Sequence, residues 1–342
     1  MTVNQTLPSN EDLIEFYVDI SQQLNRYLSI IILTFGVIGN IFNSIVLSQR
    51  IFRRNPCAYL FLISSIIDFI SLVFGVTTRI LSGWNIDPTR THDWICKLRA
   101  FIVFSSRTGA IWLIMLATLD RWLLSSRNFR YRQLSSIKNA QKGIVISFIV
   151  SILFYIHMFY CYQANIVNGP LACYGKDKIC CFITDLTYAL MTILTPLFFM
   201  ILFGLLTISN VHQIRKRIEK NATVMMTITR PRTNVKRRKC TRKKTDLHLL
   251  RMLFVQILLL TIFCIPQAVH KFYLTFHLVS DDNNIEITSA QFLYNIEVLL
   301  AFVTSGMPFY IYTLSSGSVF RRTFADLLHK SIRTLAQMFV PN

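Results

Sequence analysis

Seven stretches of this chain are long and apolar enough to cross a lipid bilayer, and no other feature restricts the fold as strongly. A bilayer core of about 30 Å calls for about 20 apolar residues in a helix. The stretches cover residues 28–47, 58–80, 97–123, 143–162, 186–209, 249–273 and 289–314. Spans one, four and five hold no Asp, Glu, Lys or Arg, and span six holds none from Met252 to Val269. Helices of a soluble core typically run about 8–20 residues and keep a polar face. The expected fold is therefore an all-α membrane protein, a bundle of seven helices. Composition points the same way, because only 15 % of the residues are charged, against about 25 % in soluble domains. This abundance of Ile, Leu, Val and Phe excludes disorder as the main state. The eight Cys show no CxxC pair and no zinc spacing, so neither a disulfide scaffold nor a structural zinc site is expected.

The net charge of +19 is high for so apolar a chain. It implies either nucleic-acid binding or charge sorted to one side of a membrane. Segments 48–57, 120–142, 210–251 and the tail from 315 hold 27 of the 36 Lys and Arg but only 4 of the 17 acids, a balance of +23. The remainder carries 9 basic and 13 acidic residues, a balance of −4. Positive loops stay in the cytoplasm. The expected orientation is an extracellular N-terminus and a cytoplasmic C-terminus, in a multi-pass protein of the plasma membrane.

This orientation organises the rest of the chain. Residues 1–26 read as a polar extracellular tail with Glu11, Asp12, Glu15 and Asp19, and not as a cleavable signal peptide. Asn4 heads an Asn-Gln-Thr glycosylation acceptor on the outer side, whereas the Asn221 acceptor lies inside and should stay unused. The bundle occupies 27–316 and contains the basic inner loop 210–251. The run Lys236 to Lys244 within that loop is read as a topology and inner-leaflet lipid signal, with no nucleic-acid partner. Residues 317–342 form the last segment. Within it, Phe320, Phe324, Leu327, Leu328, Ile332, Leu335 and Phe339 recur at helical spacing, and Arg321, Arg322, Lys330 and Arg333 occupy other faces. That pattern predicts an amphipathic helix on the membrane surface.

Individual residues within the spans narrow the class. Span one carries Gly39-Asn40, span two carries SSIID ending in Asp68, and span three opens at Cys96 and closes on Asp120-Arg121-Trp122. Spans five, six and seven carry Pro196, Pro266 and Pro308. In this register, over essentially the whole chain, the sequence resembles the rhodopsin-like family of G-protein-coupled receptors, and within it the peptide receptors. The resemblance implies a non-enzymatic receptor. It binds an extracellular ligand and activates a heterotrimeric G protein through the cytoplasmic ends of helices three, five and six. Arrestin is a further implied partner, and no cofactor is implied. The competing class is a seven-helix transporter or channel, which should show inverted repeats or polar residues along several spans. No repeat is visible, and Asp68, Arg107 and Glu297 stand out as the charges within the membrane. A membrane enzyme lacks support, as no HExxH, GxSxG or nucleotide-binding motif occurs.

The resemblance assigns roles residue by residue. Arg121 should lock the resting state and later meet the G protein. Asp246, 20 residues before Pro266, is either its partner in the lock or an acid favoured at a helix N-terminus. Phe129, eight residues after Arg121, either enters a G-protein pocket or anchors at the membrane surface. Pro266 should permit the kink about which helix six swings. Asp68, with Asn40 and Thr304 or Ser305 in reach, is either a sodium ligand or an acid held protonated or water-bridged in the core. Ala110 and Met307 stand where the family's sodium site is usually polar. Other departures are Phe263-Cys264-Ile265-Pro266, which lacks the family's Trp, and Met307-Pro308-Phe309-Tyr310-Ile311, with Tyr312 one place late.

For the outer side the resemblance implies a disulfide from Cys96 to the second extracellular loop, to Cys173 by preference, with Cys180 or Cys181 as alternatives. Cys161 and Cys264 are expected to be buried apolar fillers. Span seven has no Lys to hold retinal. The position where amine receptors carry an acid is Val103. Val103 and Phe104 should line the ligand pocket. Arg107 should bind a carboxylate or polar ligand group and Glu297 a basic one, unless the two simply neutralise each other. Arg79, Trp84, Trp94 and Arg99 are candidates for its rim. Acids in the tail and at Asp281, Asp282 and Glu286 suit a cationic ligand, which makes a small neuropeptide the expected class.

Overall fold

A computed structural model of the chain describes residues 10–166, 171–225, 233–276, 284–315, 320–327, 329 and 333. Among these residues, seven helices are long and apolar enough to cross a membrane. They are α1 (Asn10–Leu47), α2 (Pro56–Gly83), α3 (Asp93–Ser125), α4 (Ile137–Cys161) and α5 (Lys178–Gln213). The last two are α6 (Thr233–Phe276) and α7 (Asn284–Gly306), followed by the short α8 (Pro308–Ser315). Asn4 lies outside the described residues, as do Leu328, Lys330, Ile332, Leu335 and Phe339.

Local chemistry sets several boundaries. Asn55 caps α2 by accepting from the Cys57 amide at 3.1 Å, and Pro56 takes the first helical position, where no amide is needed. Ser136 caps α4 by accepting from the Asn139 amide. The polypeptide leaves helix at Met307, and Pro308 opens α8.

The first helix starts well before the expected span and is continuous from Asn10, with one wide turn at Leu24–Leu28. Tertiary contacts hold this polar segment in helical form. Tyr17 packs on Phe292 of α7 at 5.3 Å, and Asn295 donates to the Ser21 hydroxyl at 2.9 Å. The Arg26 side chain donates to the Gly83 carbonyl and lies over Trp84.

The third helix runs through the middle of the bundle, with 61 % of its apolar window buried against 33 % for α4 and α5. Outward faces are apolar instead of polar. On α6, Phe254, Leu258, Ile262, Ile265 and Val269 are exposed in one stripe at helical spacing, as a lipid-facing helix requires. Beyond α8, Phe320 is buried against Phe52, Phe309 and Tyr312, while Arg321 and Arg322 are exposed. That arrangement gives the 320–327 helical segment one apolar and one basic face.

Helices α1 and α7 meet backbone to backbone. A Cβ at Gly306 would come within 2.9 Å of the Gly36 Cα. Gly306→Val should therefore force the helices apart and cost about 1–3 kcal/mol. A lowered unfolding midpoint of the detergent-solubilised protein would show it. Gly204→Ala, where nothing lies within 4 Å, should be neutral or stabilising.

Candidate functional site

At one end of the bundle a hairpin covers the helices. Its strands, β1 (Tyr162–Gln163) and β2 (Tyr174–Gly175), pair antiparallel with Tyr162 opposite Gly175. Cys96 at the start of α3 is disulfide-bonded to Cys173, with Cα atoms 5.7 Å apart. A second disulfide joins Cys161 at the end of α4 to Cys180 in the first turns of α5. Cys161 is thus not the apolar filler expected from sequence, and Cys180 is not a partner of Cys96. The correction has a simple cause. The fifth helix begins at Lys178, earlier than hydropathy indicates, and this carries Cys180 back over the end of α4. Cys181 remains a half-buried thiol and Cys264 a buried one.

Beneath the hairpin lies a cavity with about 480 Å³ of empty space, its open mouth included. Val103, Phe104 and Arg107 of α3 line it, together with Arg79, Arg99, Tyr162, Tyr188, Gln267, Tyr294 and Phe302. Glu297 does not. Its carboxylate pairs with His270 of α6, Nδ1 to Oε2 at 2.7 Å. Arg107 instead donates to the Ala301 carbonyl at 2.8 Å and lies over the Phe302 ring. The sequence alternative in which Arg107 and Glu297 neutralise each other is therefore not the arrangement found. Each charge has a nearer partner on a neighbouring helix.

Sequence reasoning missed an ion pair behind the cavity-lining Tyr188 and Tyr294. Lys271 of α6 is buried and bonds to Asp185 of α5. The ammonium sits 5.3 Å from the ring centroids of both Tyr188 and Tyr294. The Tyr174 hydroxyl donates to the second oxygen of Asp185 at 2.8 Å. Burial, and then the neighbouring Asp185, push the Tyr174 phenol well above its ordinary pKa, so it stays a donor. Both charges sit at the ends of apolar stretches, where a one-dimensional reading takes them for boundary residues. Lys271 nevertheless falls inside the sixth apolar stretch, and that was the available signal.

At the opposite, basic end, Arg121 donates to Asp120 at 2.8 Å and to Asn55 at 2.7 Å. Asp120 also accepts from Ser135 at 2.6 Å. The residue that caps α2 therefore also holds the arginine of α3. Asp246 is helical, but its side chain lies outside the described residues. It is not at a helix N-terminus, because α6 begins at Thr233, which removes that alternative. Phe129 is 63 % exposed and opens a short helix capped by Asn128, whose side chain accepts from the Arg130 amide. Pro266 lies inside α6. Tyr312, one place late in sequence, is buried and donates to Gln256 of α6 at 2.7 Å.

Between the two ends lies Asp68, buried, with the Ser64 hydroxyl 3.5 Å away and the Ser305 side chain as a second donor. Asn40 turns elsewhere, donating to the carbonyls of Gly36 and Ser305. Among the described residues no group of three or more His, Cys, Asp or Glu is placed to hold a metal.

The seven helices, the central α3 with its Asp-Arg end, and the disulfide-tied hairpin over a cavity define a class. The sequence profile of the family "7 transmembrane receptor (rhodopsin family)" matches residues 39–312, and the chain belongs to that family. It is 25 % identical over 136 residues to Neuromedin U receptor homolog nmur-2 of Caenorhabditis elegans, covering 40 % of this chain and 34 % of that protein. It is 26 % identical over 125 residues to Pyrokinin-1 receptor of Drosophila melanogaster, covering 36 % of this chain and 29 % of that one. These matches span about a third of each relative's length.

Proposed function

We propose that this chain is a plasma-membrane receptor for a small extracellular peptide, signalling through a heterotrimeric G protein. The observation that carries the reading is the pairing of a disulfide-roofed cavity at one end with a buried Asp120–Arg121 pair at the other, on one central helix. The similarity to two receptors named for neuropeptides supports the peptide class. The charge balance of +23 on the basic segments supports an N-terminus outside and a C-terminus inside. In this reading Val103, Phe104 and Arg107 contact the ligand. Arg121, Phe129 and the cytoplasmic ends of α5 and α6 meet the G protein, with Arg121 passing from Asp120 and Asn55 to it. Asp246 is its further resting-state partner. Pro266 and Pro308 are the points about which helices six and seven rearrange, and arrestin shares the basic face.

The test is G-protein activation in cells expressing the receptor and challenged with a peptide library, with Arg121→Ala alongside. We expect a peptide that activates the normal receptor and fails on the variant at equal surface expression. Ion currents without G-protein activation would overturn the reading in favour of a channel. Phe129→Ala should lower coupling about 10-fold while leaving peptide affinity unchanged, since its exposed ring touches nothing in the cavity. Equal losses in both would instead mark Phe129 as structural.

A further inference from the structure

Three arginines line the cavity, none ion-paired with an acid among the described residues, and two of them, Arg79 and Arg99, also lack the close carbonyl contact that holds Arg107. Arg79 of α2 is 4 % exposed, and one guanidinium nitrogen donates to Asn295 at 2.8 Å. Among the described residues Arg99 of α3 donates only to the Gly75 carbonyl, at 3.4 Å. The Nε atoms of both are buried without a hydrogen-bond partner. Among the described residues no carboxylate lies within ion-pair distance of either. The Arg99 charge bears on Arg79, and Asp87, which accepts from the Thr89 amide at 2.9 Å, bears on both without an ion pair. Tyr162 and Tyr294 line the same cavity, and no hydrogen bond among the described residues engages their hydroxyls.

Such an arrangement is costly in the absence of a counter-charge. Buried cations within a membrane protein normally pair. Here Lys271 pairs with Asp185 and Arg121 with Asp120, while the buried Arg107, which has no ion-paired acid among the described residues, is held by the Ala301 carbonyl and lies over Phe302. Arg79 and Arg99 depart from that pattern, and they do so inside a cavity. Arg79 also lines a larger outer vestibule walled by α1 and α7, with Tyr17, Gln22, Gln291 and Phe292. It therefore stands where the vestibule meets the inner cavity. Planar guanidinium groups are suited to bidentate recognition of a carboxylate.

We propose that Arg79 and Arg99 form a subsite for a carboxylate of the ligand, with the hydroxyls of Tyr162 and Tyr294 as further donors. The rest of the ligand lies in the vestibule against α1 and α7. The inference deepens the receptor reading and rests on the cavity being its ligand site. It moves anion recognition away from Arg107, whose guanidinium is held by the Ala301 carbonyl. It also means that a ligand need not be uniformly cationic, whatever the outer loops attract.

The test uses the purified full-length receptor in detergent, with unfolding midpoints as readout, so it requires no knowledge of the natural ligand. The probes are a pool of N-acetylated dipeptides with free C-termini, the matched C-terminal amides, N-acetyl-glutamyl dipeptide amides, and succinate. The expected result is a raised midpoint with carboxylate-bearing probes and none with the plain amides. A stronger shift with the free C-termini assigns the site to a peptide terminus. A stronger shift with the glutamyl amides assigns it to a side chain, and with succinate to a small acid. Arg79→Gln with Arg99→Gln should weaken the shift about 30-fold in probe concentration. Arg79→Lys, which keeps the charge, should retain part of it and shows that loss in the double variant is not misfolding. Equal shifts with acids and amides, no shift with acids, or an undiminished shift in a monodisperse double variant would overturn the subsite. The receptor reading fails separately, by the absence of G-protein activation with any peptide.

Discussion

Lys271→Met is expected to be the most damaging single substitution in the upper half of the bundle. It leaves the Asp185 carboxylate buried, at 6 % side-chain exposure, with Tyr174 as its remaining donor. Removing one partner of a buried ion pair costs about 3–5 kcal/mol, because the surviving charge has neither water nor counter-ion. Asp185→Leu should cost a similar amount from the other side, and it also strips the Tyr174 hydroxyl of its acceptor. The pair Asp185→Asn with Lys271→Gln keeps hydrogen-bonding groups and removes both charges, so it should recover most of the loss. Unfolding midpoints of the unchanged chain, Asp185→Asn, Lys271→Gln and their combination form a cycle that isolates the coupling. Independent, additive effects would show that the pair does not hold α5 to α6. The rings of Tyr188 and Tyr294 flank the ammonium, so ligand affinity should fall in the single variants as well.

The second large effect concerns the disulfide between Cys161 and Cys180, 19 residues apart. Closing a loop of about that size stabilises by about 3 kcal/mol through the unfolded chain. Cys161→Ser should cost that much and leave Cys180 beside Cys181 with no partner on α4. Under denaturing, non-reducing conditions a thiol-labelling reagent should add four labels to the normal chain and eight after reduction, from eight Cys with two disulfides. Cys161→Ser should add five labels before reduction. Six labels on the normal chain would mean that the second bond does not form.

The seven spans were legible because transfer to lipid depends on stretches of about 20 residues and needs no knowledge of neighbours. Arg121 and Asp68 were legible for a related reason, since a charge in an apolar stretch is conspicuous wherever its partner lies. Other features were not. The polar residues of 10–23 hid a helix whose face is completed only by Phe292 and Asn295 of α7. Hydropathy started helix five at residue 186, whereas its helix begins at Lys178, and the disulfide to Cys161 depends on that difference. Nor does the linear order show that Glu297 of α7 pairs with His270 of α6.

What the sequence determined by itself is the membrane-spanning architecture and its sorting of charge, together with the family register of its motifs. These follow from local composition and fixed spacings along one chain. Only the tertiary structure decided which charges meet. Asp185 and Lys271 are 86 positions apart, and their pairing depends on the relative rotation and depth of two helices. A rotation of one residue, about 100° in a helix of 3.6 residues per turn, would send either group elsewhere. The same geometry leaves Arg79 and Arg99 lining one cavity with no ion-paired acid among the described residues. Nothing in the linear order of residues distinguishes them from the paired cations.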